Sequence, residues 1–252
     1  MTKKSNIFDP FGDYETAGYL RNTLKSKSAK EIKFQEHLFF RANILEAGNY
    51  LKTRENINYK DFREVHKILF EGFYPWAGQD RHTLGVARYV TKADRVTFVA
   101  SEESERAVSH GLSLGNNTEY IAKRPGEVMG LFAWGHPFLD GNGRAMVVVH
   151  TELMARAGLF IDWGQSEKNA YLQALTTELD SPNNRILDKY LNKIAQPLTA
   201  HRTLHEKILE IEGLEGVGDD IDTDVSYDEN DPVGQRRYQE KLQSRRYTIP
   251  IN

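Results

Sequence analysis

Within ten residues, Gly135-His136-Pro137-Phe138-Leu139-Asp140-Gly141-Asn142-Gly143-Arg144, the chain concentrates an imidazole, a carboxylate, a guanidinium and three glycines. Such a set suits the handling of a nucleotide phosphate. Gly141 and Gly143 lack Cβ atoms, so the backbone can take positive φ and turn several N–H groups toward one point. A helical pattern begins at once after them, and its first turn adds the positive end of a helix dipole. Arg144, one turn into that helix, offers a planar fork of donors matched to phosphate oxygens. Asp140 is a hard oxygen ligand beside the same hole, placed as one carboxylate would be to hold a hydrated Mg²⁺ that bridges phosphates. His136, whose ordinary pKa lies near neutrality, suits a general base across the cavity. Asp-Gly and Asn-Gly are also common turn dipeptides, and each residue taken singly reads as part of a helix–turn–helix connection. Their concentration in ten residues is what favours a site.

The elements around this loop follow from periodicity. Ile32, Phe39, Ala42 and Leu45 share a helix face, which predicts a long helix over 29–51. A second helix is expected over 58–70, stopped by Gly72 and Pro75, so that Tyr74-Pro75-Trp76-Ala77-Gly78 forms a rigid aromatic turn. Residues 84–99 are rich in β-branched and aromatic types with a polar Lys92-Ala93-Asp94 break, and predict one β-hairpin. Helices are expected again over 102–115, 126–134, 143–157, 166–179 and 184–194. The fold class is therefore mainly α, with one hairpin before the motif helix.

The 252 residues, with 39% hydrophobic and 27% charged, suit one soluble domain with trimmings. No apolar run is long enough to span a bilayer, so no membrane partner is expected. The start, Met1-Thr-Lys-Lys-Ser-Asn-Ile-Phe-Asp-Pro, has charge without a following apolar stretch, so no Sec-type signal is expected. With no cysteine, thiolate zinc sites, iron–sulfur clusters and Cys nucleophiles are excluded, and the reducing cytoplasm is the expected location. A net charge of -3 argues against nucleic acid as a partner. The ends differ from the body. Residues 206–231 hold eleven Asp or Glu against one Lys, and 235–246 hold five Arg or Lys against one Glu. The expected organisation is an N-terminal arm over 1–28, a catalytic body over 29–197, and a C-terminal helix with a flexible acidic and basic tail over 198–252.

His136-Pro-Phe-Leu-Asp-Gly-Asn-Gly-Arg144 resembles the signature of the Fic (Fic/Doc) family, His-x-Phe-x-(Asp/Glu)-Gly-Asn-Gly-Arg, at all nine positions. Phe73-Tyr-Pro-Trp-Ala-Gly-Gln-Asp-Arg81 resembles the family's entry into its flap hairpin, and similarity continues through Thr151-Glu-Leu153, Ala157-Gly158 and Tyr171-Leu-Gln-Ala-Leu175. The resemblance covers roughly 30–195. It implies a Fic-type helical domain with a hairpin flap, and transfer of AMP from ATP onto a Ser, Thr or Tyr hydroxyl of a target protein. By that resemblance His136 matches the base, Asp140 the Mg²⁺ ligand, Gly141 and Gly143 the anion hole, and Asn142 and Arg144 phosphate contacts. Phe138 matches a buried anchor and Tyr171 a residue of the adenine pocket. The flap over 84–99 would receive the target's segment by strand addition.

Two departures stand out. The family often continues as Arg-x-x-Arg, where this chain has Val147, and that second arginine serves the γ-phosphate and pairs with an inhibitory glutamate. No clean inhibitory (Ser/Thr)-x-x-x-Glu-(Gly/Asn) motif is found: Glu105 is followed by Arg106, Ser226-to-Glu229 is one residue short, and Glu46 lacks the hydroxyl. A separate small, antitoxin-like inhibitory protein is therefore an expected partner. Transfer of phosphate or phosphocholine on the same scaffold, and a nucleotide-binding regulatory module with little catalysis, are the alternative functions. Delivery into another cell by a non-Sec route stays compatible with the sequence. Elsewhere, His201 and His205 read as an exposed helix face rather than a metal pair, and His150 as a packing or capping residue. Trp134 and Trp163 fit either an adenine pocket or the core. Thr83, Tyr89, Thr91 and Thr97 are either strand surface or self-modification sites.

Overall fold

The computed structural model describes residues 8–92, 96–198, 204–209, 211, 224–226 and 232–244. Its helices are α1 (Tyr14–Ala17), α2 (Ala29–Lys52), α3 (Tyr59–Phe70), α4 (Arg81–Leu84), α5 (Ser104–Gly115), α6 (Thr118–Lys123), α7 (Pro125–Gly135), α8 (Asn142–Arg156), α9 (Lys168–Asp180), α10 (Ile186–Ile194), α11 (Leu204–Ile208) and α12 (Pro232–Ser244). Short strands are β1 (Val90–Lys92), β2 (Val96–Thr97), β3 (Leu159–Ile161), β4 (Ala195–Pro197) and β5 (Asp224–Ser226).

At the centre runs α7, buried from Pro125 to Gly135 on every side. A helix apolar all round needs a complete jacket, and α5, α8, α9 and α10 supply it. Proline opens α7 at its first position, where a missing N–H costs nothing. Asp188 of α10 then accepts from the N–H groups of Gly126 and Glu127 at 2.8 and 3.1 Å, capping the helix from outside its own sequence. His150 of α8 closes the same end, its Nε2 2.9 Å from the Pro125 carbonyl. Burial pushes this imidazole down to about 4, so it stays neutral and acts as the packing and capping residue of the sequence reading. The other flanking helix, α3, begins with a reciprocal cap: Asn58 accepts from Lys60 and Asp61 N–H, and Asp61 accepts from Asn58 N–H.

Among the described residues, two small antiparallel sheets complete the fold. In the flap, Thr91 faces Thr97 and Lys92 faces Val96. A third strand, β5, adds to the other side of β1, giving the order β2-β1-β5. The second sheet pairs β3 with β4, Phe160 facing Gln196, and is additional to the one hairpin expected.

Both chain ends depart from the expected picture. Residues 8–28 are docked, not loose: Phe8 and Leu20 are buried, and the Trp76 indole N–H donates to the Leu20 carbonyl at 2.7 Å. The aromatic turn at 74–78 is thus covered by the N-terminal segment, and Tyr74 stacks on Trp76 at 4.4 Å. In the stretch read as a flexible tail, β5 and α12 are formed elements. A strand that pairs through its backbone needs no apolar sequence, which is why composition did not reveal it. His201 lies outside the described residues, as does the side chain of His205. No described helix is long and apolar enough to cross a membrane.

Candidate active site

The motif loop runs from the C-terminus of α7 to the N-terminus of α8. His136 caps α7 in the left-handed region, φ 39°, an uncommon place for a residue with a Cβ. Surrounding contacts hold it there. Its N–H donates to Phe132 O at 3.2 Å, and its carbonyl accepts from Arg81 Nε at 2.9 Å. The imidazole lies flat against Phe98, just beyond β2, with centroids 3.7 Å apart and planes 13° apart. The flap therefore fixes the plane of the ring.

Arg81 is the main staple of the site. It is almost wholly buried, and its backbone N–H donates to Pro137 O at 2.8 Å. Nη1 donates to Ala87 O at 2.6 Å and Arg88 O at 3.2 Å, and Nη2 donates to Val99 O at 3.1 Å and Ser104 Oγ at 3.3 Å. One guanidinium thus ties both ends of the flap to the carbonyl of His136, a use of five fixed donors that lysine cannot copy.

The rest of the loop is braced from below. Phe138 is buried and stacks on His66 at 3.8 Å, as expected for an anchor. Asn142 uses its side chain inside the loop, accepting from Phe138 N–H at 2.9 Å and donating to Phe138 O at 2.7 Å. His66 Nδ1 accepts from Gly78 N–H at 3.0 Å, so its proton sits on Nε2, which donates to Asp140 O at 3.0 Å. Burial pushes this imidazole down to about 3, keeping it neutral. Gly141 takes φ 76°, and a Cβ there would lie 2.6 Å from Phe70 and 3.0 Å from His66 Nε2. The fold itself requires this glycine.

Gly143 differs. Its φ is not positive, and a Cβ would meet nothing within 4 Å. It stands in the first turn of α8, whose N-cap, Gly141, provides no side-chain cap. No N-cap side chain satisfies the leading N–H groups of this 15-residue helix, and the space beside Gly143 is open, a setting that suits an anion. Asp140 flanks that space with its carboxylate 37% exposed, one oxygen accepting from Gly141 N–H at 2.6 Å. Arg144 lies beside it, Nη2 3.7 Å from Asp140 Oδ1 and Cζ 4.9 Å from the centre of the Phe70 ring.

Arg144 also has a partner that the sequence reading missed. Nη2 donates to Glu36 Oε2 at 2.9 Å, and Tyr74 donates to Glu36 Oε1 at 2.6 Å. Burial pushes Glu36 up to about 7, against the opposing charge of Arg144 and with the like charge of Asp140. Glu36 falls four residues from Ile32 and four from Phe40, and His66 four from Phe62 and four from Phe70. A polar residue on an otherwise apolar stripe was the available signal for both. Arg81 had only its place in the segment before the flap.

Other expected residues sit elsewhere. The Tyr171 hydroxyl donates to Met129 Sδ at 3.2 Å, and its ring meets Trp163 edge-on at 5.2 Å, so its partners lie outside the 136–144 loop. Burial pushes this phenol well up. Trp134 and Trp163 are core residues, and Val147 is buried as an apolar residue of α8. Tyr89, Thr91 and Thr97 are buried, whereas Thr83 is exposed. Glu46 and Glu105 face solvent, and Glu229 lies outside the described residues. Among the described residues no group of three or more His, Asp or Glu side chains could hold a metal. Asp140 alone suits only a cation held mostly by phosphates and water.

Residues 56–154 match the Fic/DOC family, and the chain carries a Fic/DOC domain with a mainly α-helical fold and a hairpin flap. The protein adenylyltransferase VbhT of Bartonella schoenbuchensis is 27% identical over 177 residues, 69% of this chain and 36% of VbhT. The matched part thus spans about a third of that relative's length. The N-terminal Fic domain of a VirB-translocated Bep effector of Bartonella quintana, solved with bound ADP, superposes with a TM-score of 0.56. It is 19% identical, over 81% of this chain and 98% of that one. The BepC effector of Bartonella tribocorum, solved with bound AMPPNP, gives 0.54 at 17% identity, over 70% of this chain and 91% of that one. Both likenesses are of fold.

Proposed function

We propose that this chain transfers AMP from ATP to a Ser, Thr or Tyr hydroxyl of another protein. The observation that carries this reading is the uncapped α8 N-terminus at Gly143, open where a Cβ would project, with Asp140 and Arg144 beside it and His136 in the same loop. The α- and β-phosphates would rest on the first N–H groups of α8, with Arg144 turning part of its fork from Glu36 to phosphate oxygens. Asn142, whose amide is committed to Phe138, positions the loop and leaves phosphate contact to its backbone. His136 accepts the proton as the target's hydroxyl oxygen bonds to the α-phosphorus, while the bond from that phosphorus to the bridging oxygen breaks and pyrophosphate leaves. Mg²⁺ would be held by Asp140 and would neutralise phosphate charge when bound. The names of the adenylyltransferase relative and the nucleotide-bound effectors support the reading.

The target's segment would add to the flap, whose residue Phe98 already fixes the His136 ring. A separate small inhibitory protein, and delivery into another cell as for the VirB-translocated neighbours, belong to the same reading. Incubation of a lysate with α-labelled ATP and the native chain should label protein, and His136→Ala should lower labelling by about 10²-fold or more. Equal labelling by the two chains would overturn the assignment of the base. Transfer from γ-labelled ATP instead would point to phosphate transfer.

A further inference from the structure

The flap is a two-stranded ribbon with two edges. On the β2 side the chain turns into the body, where Val99 N–H donates to Trp134 O at 3.2 Å. The other edge is that of β1, and it is already occupied. β5 runs antiparallel along it, with Val90 opposite Ser226, Thr91 opposite Val225 and Lys92 opposite Asp224. Farther along, α12 returns to the same place and sets Tyr238 between the two ends of the flap. Its ring meets Tyr89 edge-on at 5.3 Å, and its hydroxyl accepts from Ala100 N–H at 3.3 Å. Tyr238 is 6% exposed on a helix that is otherwise largely solvent-facing. Lys241 of the same helix pairs with Asp180 of α9.

We propose that β5, gripped by Tyr238 of α12, is the chain's own occupant of the β1 edge, and that a target's strand reaches this edge only by displacing it. The inference rests on the AMP-transfer reading for what the edge serves, but the occupancy itself rests on strand pairing and on Tyr238. Three paired residues are a weak strand alone. Tethering makes them effective, because a linked segment competes at a local concentration in the millimolar range. An incoming segment must therefore pair over a longer stretch than three residues, or be held by further contacts, to win. β5 thus has a job that the acidic composition around it hides: a removable cover on a backbone edge that would otherwise invite strand addition from any chain.

The test uses the full chain, its Val225→Pro variant, which removes a backbone donor within β5, and its Tyr238→Ala variant, which removes the grip of α12. The probe is a fluorescent synthetic peptide with the sequence of residues 220–230, read by anisotropy against a scrambled control. Each variant should bind the peptide about tenfold or more tighter than the native chain does. Hydrogen exchange at residues 90–92 should be slow in the native chain, fast in both variants, and slow again when the peptide saturates them. Equal peptide affinity in all three chains, or equally fast exchange at 90–92, would overturn the proposal. Protection at 90–92 that rises with protein concentration would also overturn it, by assigning the occupant to a second copy. With α-labelled ATP and lysate, both variants should label more protein than the native chain, and His136→Ala in either background should abolish the gain. Labelling by the native chain with no gain on release would count against the cover. Absence of labelling in every chain would count against AMP transfer alone, leaving peptide binding and exchange to decide the occupancy.

Discussion

The two regions that meet at His136 are built in opposite ways. The motif loop is held by side chains from distant parts of the chain: Glu36 from α2, His66 from α3 and Arg81 from α4 each reach into it. The flap with its cover is held by Arg81 at its two ends and, between them, by three short strands and one tyrosine. A loop proposed to meet developing charge would gain from being fixed in advance, since nothing then reorganises during the reaction. An edge proposed to accept a foreign strand would gain from weak local structure, which opens without unfolding the body. Arg81 belongs to both regions, and the contrast between them is sharpest where that link is cut.

Arg81→Ala carries the largest expected effect. It leaves the carbonyls of His136, Ala87 and Val99 without their charged donor in a buried place, and should destabilise the fold by about 4 kcal/mol. Denaturant unfolding checks this. Arg81→Lys should recover only part of the loss, since one ammonium cannot span acceptors on both sides of the flap. If Arg81→Ala loosened only residues 87–99 and left unfolding of the body unchanged, the motif loop would not depend on the flap as argued.

Glu36 separates the regions by pH. In the unfolded chain its carboxyl loses its proton near 4.5, and in the fold only near 7. Between these values the unfolded state has released a proton that the folded state keeps. This contribution to stability is therefore fully present below pH 4.5, falls as pH rises toward 7 and is level above. The change over the window is on the order of 3 kcal/mol. Glu36→Gln should flatten it, as urea unfolding at a series of pH values would read. A native chain that gained stability over the Gln variant between pH 4.5 and 7 would contradict the assignment.

The two motif glycines set fold against ligand. Gly141→Ala forces a positive φ and a clash with Phe70, and should cost roughly 3 kcal/mol of stability. Gly143→Ala should leave stability unchanged or raise it by about 0.5 kcal/mol, because alanine suits a helix better. Its methyl group would occupy the space read as the phosphate site, so ATP affinity by calorimetry should fall by about tenfold or more. Unchanged ATP binding in Gly143→Ala would move the phosphate site away from the α8 N-terminus.

Much of this architecture was legible in the sequence for definite reasons. Helices announced themselves through apolar spacing and through Gly and Pro stops, and the loop through its concentration of functional types. What failed to show was whatever depends on partners that only folding brings together. Asn142 looks like a ligand contact in the motif, yet its amide bonds to Phe138, a pairing that only the folded turn creates. Arg144 looks free to meet phosphate, yet Glu36 arrives from 108 residues away. The acidic end looks unable to fold. The order of β5 comes from a backbone edge elsewhere and that of α12 from Tyr238, a single aromatic in a basic stretch that composition averages away.

The smallest expected effect asks what Tyr238 contributes. Tyr238→Phe keeps the ring against Tyr89 and deletes only the hydroxyl that accepts from Ala100 N–H at 3.3 Å. Ala100 is buried, so its amide loses a partner that water replaces poorly, at a cost of about 1 kcal/mol. That cost should stay local. Hydrogen exchange at Ala100 should quicken about fivefold, the factor that corresponds to about 1 kcal/mol, while residues 90–92 keep most of their protection. Tyr238→Ala, which removes the ring as well, should release both. If the two variants exposed residues 90–92 equally, the hydroxyl would be the grip and the ring packing incidental. If neither did, β5 would hold the edge without α12, and the cover would end at the strand.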